Sequence, residues 1–170
     1  KVNEKKDKVD YLTWIREGYI KTTPGNVIEI DNMVADILEI SRQYQCEGLA
    51  FDPAKAYHGV IQGLIKAGFP SEKLDEFAQG IMNMSAPTKE FERLILSGEL
   101  DHLGDPVLRW MAGNVQIYSD INANIKPDKK RSRDKIDGIV AAIMAIGEYM
   151  SQGKNEKSQT IYNDHSLRFL

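Results

Sequence analysis

A chain of 170 residues is long enough for one domain with a full-sized core, and 42% hydrophobic with 28% charged residues is an ordinary globular balance. A formal net charge of −3 excludes a globally basic nucleic-acid binder, so any contact with a phosphate backbone must come from a local patch. The single cysteine, Cys46, excludes an intrachain disulfide and a cysteine-based zinc site, and no apolar run reaches the ~18 residues of a bilayer span.

The pattern predicts a first helix over residues 7–17, with Val9, Leu12, Trp14 and Ile15 apolar and Gly18 as its stop. The start, Lys1 to Lys8, is too polar for a signal peptide. Because it opens on Lys, the chain is expected to be a piece of a longer polypeptide. Thr23-Pro24-Gly25-Asn26 reads as a turn. An amphipathic helix follows from about Asn32 to Gln45, with Ile30, Met33, Val34, Ile37 and Leu38 at spacings of three and four and Asp31 as its cap. Cys46 is expected to be a small buried hydrophobe, which fits a reducing, cytoplasmic setting. Leu49-Ala50-Phe51, bounded by Gly48 and Pro53, reads as a short buried strand, parallel because helices flank it.

Val60, Ile61, Leu64 and Ile65 stripe the next helix, which ends at Gly68, and residues 74–77 form another short strand. Ser85-Ala86-Pro87-Thr88 is expected to open a helix to about Ser97, and Asp105-Pro106 a shorter one through Met111, with Asp as cap and Pro in the first turn. Trp110 and Met111 are expected in the core. Val115 to Tyr118 reads as a strand and Asn122-Ala123-Asn124 as a turn. The last helix is predicted from about Arg133 to Met150, with Ile136, Ile139, Val140, Ile143, Met144 and Ile146 on a wide apolar face. Residues 151–170 read as a polar tail behind a single domain over 1–150, with no internal repeat. Alternating helices and short strands give a helix-rich α/β class.

Two acids stand out. Asp52 follows the strand Leu49–Phe51, where open α/β sheets bind ligands; a turn former before Pro53 is the alternative. Asp137 lies near the start of the last helix, where the macrodipole favours an acid. If Ser132 caps that helix, Asp134 and Asp137 stand one turn apart on one face, and Gly138 leaves room for a close neighbour. Hard oxygen ligands of this kind suit Mg²⁺ or Mn²⁺, and two such ions about 3.5–4 Å apart can activate a water and steady a leaving oxygen. The patch from Lys126 to Lys135 holds six basic and two acidic residues. Within it Lys129, Lys130, Arg131 and Arg133 are the DNA-backbone candidates, with a solvated charge run as the alternative. His102, as a metal ligand or proton shuttle, and Arg109 and Asn114, as DNA contacts, are weaker candidates; a loop histidine is the plainer reading of the first, and a cap or surface pair explains the other two about as well. His58 and His165 carry less. No P-loop is present: the nearest approach, Gly147 to Gly153-Lys154-Asn155, has the wrong spacing and lacks the hydroxyl.

Several stretches together are more specific. Tyr11-Leu12-Thr13-Trp14-Ile15-Arg16-Glu17-Gly18-Tyr19, Thr23-Pro24-Gly25-Asn26-Val27, Ala50-Phe51-Asp52-Pro53, and the run from Asp105 through Trp110 to Val115 occur in order. Lys129-Lys130-Arg131-Ser132 and the run from Lys135 through Asp137-Gly138 to Ala145 follow. From about residue 10 to 150 the chain resembles the C-terminal nuclease domain of the large terminase subunit of tailed bacteriophages or prophages. The resemblance implies an RNase H-like fold and a metal-dependent endonuclease that cuts concatemeric double-stranded viral DNA during packaging in the host cytoplasm. In that family one catalytic acid follows a central strand and another lies on a late helix; Asp52 and Asp137 match those positions.

The family's first acid lies on an opening strand upstream of the Trp-Ile-Arg-Glu-Gly-Tyr stretch. Here only ten residues precede Tyr11, so that strand and acid are expected to be missing. The site would keep two carboxylates of three and bind cations more weakly. Intact, it would hold two Mg²⁺ or Mn²⁺ ions on Asp52, Asp137 and the missing acid, with Asp134 as a fourth ligand. The partners implied are double-stranded DNA, the terminase ATPase domain, the small terminase subunit and the portal, with no membrane. The competing expectation is a non-catalytic module that clamps DNA or docks the motor or portal.

Overall fold

The computed structural model describes residues 9–23, 25, 29–54, 58–155 and 167–168. They divide between two compact units that meet in sequence at Ala78 and Gln79. No helix among the described residues is long and apolar enough to cross a membrane.

The first unit opens with α1 (Tyr11–Arg16). Asp10 starts it: its carboxylate accepts from the Thr13 amide at 3.0 Å and from Thr13 Oγ1 at 2.6 Å, satisfying an amide that the first turn leaves open. Val9 and Tyr11 are buried, while Leu12, one of the apolar residues of the predicted helix, is 63% exposed, because the short helix turns one face inward. Half of the expected Thr23–Asn26 turn, Pro24 and Asn26, lies outside the described residues.

Helix α2 (Ile30–Gln43) crosses α3 (His58–Lys66) at close range. A Cβ built on Gly63 would lie 2.8 Å from Val34 Cγ2, and one on Gly59 would lie 2.5 Å from Ile30 Cδ1. The two glycines, one turn apart, therefore admit the α2 side chains against the α3 backbone. Because Ile30 is packed there, α2 begins before Asp31. Glu29 is its N-cap residue without a side-chain bond, and Asp31 stands in the first turn rather than capping.

Strand β1 (Leu49–Phe51) pairs in parallel with β2 (Leu74–Glu76), Leu49 opposite Leu74 and Phe51 opposite Glu76. The expected parallel strand is therefore found, and α3 provides the crossover between the pair. Gly68, at φ +90°, turns the chain out of α3 as the pattern predicts. Val34, Val60, Leu64 and Phe69 form the buried centre of this unit, and Cys46, half-buried, packs against it with Ile30, Ile37, Leu38, Leu49, Ile61 and Leu74.

The second unit is built on α4 (Ile81–Ser97) packed against α6 (Asp137–Asn155). Helix α4 starts four residues before the expected Ser85. Pro87 lies inside it, buried together with Met84, Phe91 and Leu94 on one stripe. The proline ring is core filling here, not a first-turn signal. Strand β3 (Leu100–Asp101) follows, then α5 (Pro106–Asn114), capped by Asp105 Oδ1, which accepts from the Leu108 amide at 2.8 Å. Helix α5 packs on α6; Trp110 and Met111 are half-buried.

Strands β4 (Ile117–Ser119) and β5 (Ile125–Pro127) form an antiparallel hairpin. Strand β4 starts two residues and ends one residue later than expected, and β5 is not predicted by the pattern. Lys126, counted in the basic patch, is half-buried on β5 and donates to the Gln79 carbonyl at 3.1 Å; it braces the unit. Helix α6 continues past Met150 to Asn155. Strand β6 (Leu167–Arg168) pairs in parallel with β3, so part of the expected tail is structured.

The hairpin turn is organised by Asp120. One oxygen accepts from the Asn122 and Asn124 amides and the other from the Asn124 side chain, each at 2.9 Å. These bonds, led by the Asn124 side chain, hold its carboxyl below the ordinary aspartate value of 3.8. A depressed value means that the turn's support is complete above that pH and is lost as pH falls through the lowered one. In an NMR titration the Asn122 and Asn124 amide shifts should be flat above about pH 5 and move with a midpoint below 3.8. A midpoint at or above the ordinary value would contradict this account.

Candidate functional site

The segment 128–136, between β5 and α6, is fastened along its length. Asp128 Oδ1 accepts from the amides of Lys130 at 2.9 Å and Arg131 at 3.2 Å. The Asp128 carbonyl accepts from the Ser132 amide at 2.9 Å and from Ser132 Oγ at 2.7 Å. The same Ser132 Oγ receives the Gln116 amide at 3.1 Å, and the Asp128 amide donates to the Gln116 carbonyl at 2.8 Å. At the end of α5, the Asn114 carbonyl accepts from Arg133 N at 3.1 Å, and Asn114 Nδ2 donates to the Lys135 carbonyl at 3.3 Å.

This network corrects two expectations. Ser132 does not cap the last helix, since its hydroxyl is committed to Asp128 and Gln116. The helix begins at Asp137, so Asp134 precedes it rather than standing one turn behind on the same face. Asp134 Oδ1 instead accepts from the Lys135 amide at 2.8 Å. Asn114, a candidate DNA contact or cap, braces the loop through its Nδ2. Pattern reading could not reach the bonds from Asn114 and Gln116, because they join residues twelve or more positions apart.

Asp137 is the first residue of α6. Next to it, a Cβ on Gly138 would lie 2.9 Å from Met111 Sδ and 3.4 Å from Leu108 Cδ1, and the Gly138 amide donates to Met111 Sδ at 3.1 Å. The close neighbour expected beside Gly138 is therefore helix α5. Ile136, Ile139, Val140 and Ile143 are buried, which fixes the rotation of α6 and sends the Asp137 side chain, 71% exposed, to the solvent. Lys129 Nζ meets Asp137 Oδ1 at 3.0 Å. Oδ2 has no hydrogen-bond partner among the described residues.

Of the other basic candidates, Arg131 lies 3.6 Å from Asp128 Oδ2. Lys130 and Arg133 are exposed and have no ion-pair partner among the described residues. Arg109 is exposed on α5. His102 lies in the loop after β3, and its Nδ1 is buried with no hydrogen-bond partner among the described residues.

Asp52 belongs to the first unit. It follows β1, partly buried, and its Oδ1 accepts from the Ala54 amide at 3.0 Å. The turn-forming role is thus present locally, and Oδ2 has no hydrogen-bond partner among the described residues. Among those residues no group of three or more His, Cys, Asp or Glu side chains is gathered to hold a metal ion. The donor chemistry at Asp52 and Asp137 is nonetheless that of a hard cation: carboxylate oxygens, each acid with one oxygen unengaged. His58 begins α3, while His165 lies outside the described residues.

Asp128→Ala should unfasten the loop without unfolding the unit. Bonds to a charged acceptor contribute about 1.5–3 kcal/mol each, so exchange of the Lys130 and Arg131 amides should quicken at least about ten-fold, measured by hydrogen exchange. Unchanged protection at both amides would show that Asp128 is not the organiser.

The family described as "Terminase large subunit, endonuclease domain" matches residues 1–153. The chain is 35% identical over 143 residues to the terminase large subunit of Enterobacteria phage HK97, covering 84% of this chain and 28% of that protein. It is 28% identical over 169 residues to protein YmfN of Escherichia coli strain K12, covering 94% of this chain and 35% of that one. The crystal structure of the HK97 bacteriophage large terminase superposes with a TM-score of 0.78 at 34% identity, over 85% of this chain and 30% of the other. The chain thus spans about a third of the length of these relatives.

Proposed function

This chain belongs to the family of terminase large subunit endonuclease domains, and we propose that it hydrolyses phosphodiesters of double-stranded DNA with divalent cations held by Asp52 and Asp137. The fold would be of the RNase H-like class, a reading supported by the β1–α3–β2 parallel unit and the acid that follows β1. The observation that carries the proposal is Asp137 itself: an exposed carboxylate at the head of a core-anchored helix, beside a stapled loop that offers Lys129, Lys130, Arg131 and Arg133.

In this reading Asp52 and Asp137 supply carboxylate oxygens to Mg²⁺ or Mn²⁺, and Asp134 is a further ligand. Bound there, two cations would polarise a phosphate oxygen and the attacking water and steady the leaving oxygen. The residues of the chain do the rest. Lys130, Arg131 and Arg133 take the DNA backbone, and the fastened loop keeps them at the helix head. Contacts of this kind read phosphates, not bases, so sequence preference should be low. The biological substrate would be concatemeric viral DNA in the bacterial cytoplasm, and the partners an ATPase domain, a small terminase subunit and a portal.

The test is cleavage of supercoiled plasmid with Mn²⁺, abolished by EDTA and by Asp52→Asn. Salt-sensitive DNA binding that is indifferent to Asp52→Asn, with no cation-dependent cleavage, would instead identify a DNA-clamping or docking module.

A further inference from the structure

We infer that Lys129 is an internal counter-cation for Asp137, one that holds the carboxylate in place at the head of α6 and gives way when a divalent cation binds. The inference rests on the cation-dependent reading above and adds a positioning residue to it. Three observations lead there. Lys129 Nζ lies 3.0 Å from Asp137 Oδ1, on the acid proposed as a ligand. Both side chains reach solvent, Lys129 at 35% and Asp137 at 71% exposure, so the pair is open to exchange with the medium. And the backbone on either side is fixed, by Asp128 and Ser132 on the loop and by the buried stripe of α6. Only the flexible stem of Lys129 has to move.

A Lys ammonium is a compact point charge on four rotatable carbons. It can satisfy one oxygen of Asp137 without the multi-oxygen geometry that a divalent ion demands. An ion therefore enters by displacing a weak, exposed pair rather than by gathering a loose carboxylate. Released, the same ammonium stands next to Lys130 and Arg131, ready to meet a phosphate.

The experiment is Mn²⁺ titration by calorimetry on the whole chain, without DNA and without turnover. Lys129→Met should tighten Mn²⁺ binding by about two- to five-fold, the range expected for removing an exposed competing pair. Lys129→Arg, which keeps a cation, should stay near the parent value, and so should Lys130→Met, whose side chain has no ion pair among the described residues. Unchanged or weaker Mn²⁺ binding in Lys129→Met overturns the inference. Asp137→Asn separates the two levels. If it lowers Mn²⁺ affinity while Lys129→Met has no effect, the ligand reading stands and the counter-cation is refuted. If Asp137→Asn leaves Mn²⁺ binding untouched, the ligand reading fails and takes the inference with it.

Discussion

Asp137→Asn is expected to slow Mn²⁺-supported plasmid cleavage by about a hundred- to a thousand-fold. The substitution keeps the volume and one oxygen of the side chain and removes its charge. A bound cation contributes several kcal/mol to stabilising charge in the transition state, and losing about 3–4 kcal/mol of that slows the reaction by 10²–10³. The fold should survive. The Lys129–Asp137 pair is exposed, so breaking it costs about 0–1 kcal/mol, and a first-turn acid at a helix N-terminus adds about 0.3–1 kcal/mol. Activity should collapse while the thermal midpoint falls by only a few degrees. Cleavage within two-fold of the parent at matched Mn²⁺ would remove Asp137 from the mechanism.

Leu64→Ala should have the largest effect on stability. Leu64 is fully buried at 0% exposure, in the cluster with Val34, Val60 and Phe69. The glycines beside it set the α2–α3 spacing closely, so the helices cannot collapse far into the space left. A loss of about 2–5 kcal/mol is expected, a large part of the 5–15 kcal/mol typical of a whole domain. Its neighbour in sequence, Ile65, is 43% exposed, and Ile65→Ala should cost no more than about 1 kcal/mol. Urea unfolding followed by Trp14 fluorescence, in a Trp110→Phe background, reads the first unit because the chain has two tryptophans. Equal losses at 64 and 65 would show that the helix face is assigned wrongly.

The elements legible in the sequence are those whose signals are local and agree. Ile30, Val34, Ile37 and Leu38 recur at helical spacing. Leu49–Phe51 is a short apolar run between breakers, Gly68 ends α3, and Asp105-Pro106 caps α5. What escaped depends on partners far along the chain or on signals that conflict. Pro87 reads as a helix opener, yet the stripe Met84, Pro87, Phe91, Leu94 carries the helix through it. Strand β4 is exposed along its length, so no alternation marks its register, and β5 is three residues including Lys126 and Pro127. In the candidate site, Asp137 and the basic run were legible as residue types beside a helix start. The pairing of Lys129 with Asp137, the conversion of Asn114 and Ser132 into staples, and the displacement of Asp134 off the helix were not. They follow from side-chain and backbone bonds that tie the loop to the α5–β4 segment and to the head of α6.

The double fixing of this region also says where related chains can differ in length. One step along an α-helix turns a side chain by about 100°, so an acid moved to position 136 or 138 would point into packed neighbours. An extra residue in 128–136 would break the staggered bonds to Gln116 and Asn114 and carry Lys129 out of reach of its acid. The hairpin tip between β4 and β5, where Ile121 is wholly exposed, is tied within its own turn, by Asp120 to Asn122 and Asn124, and fixes neither the helix nor the loop. In an alignment, gaps and insertions should therefore collect at that tip, while the interval from Asp128 to Asp137 keeps its residue count even where its composition drifts.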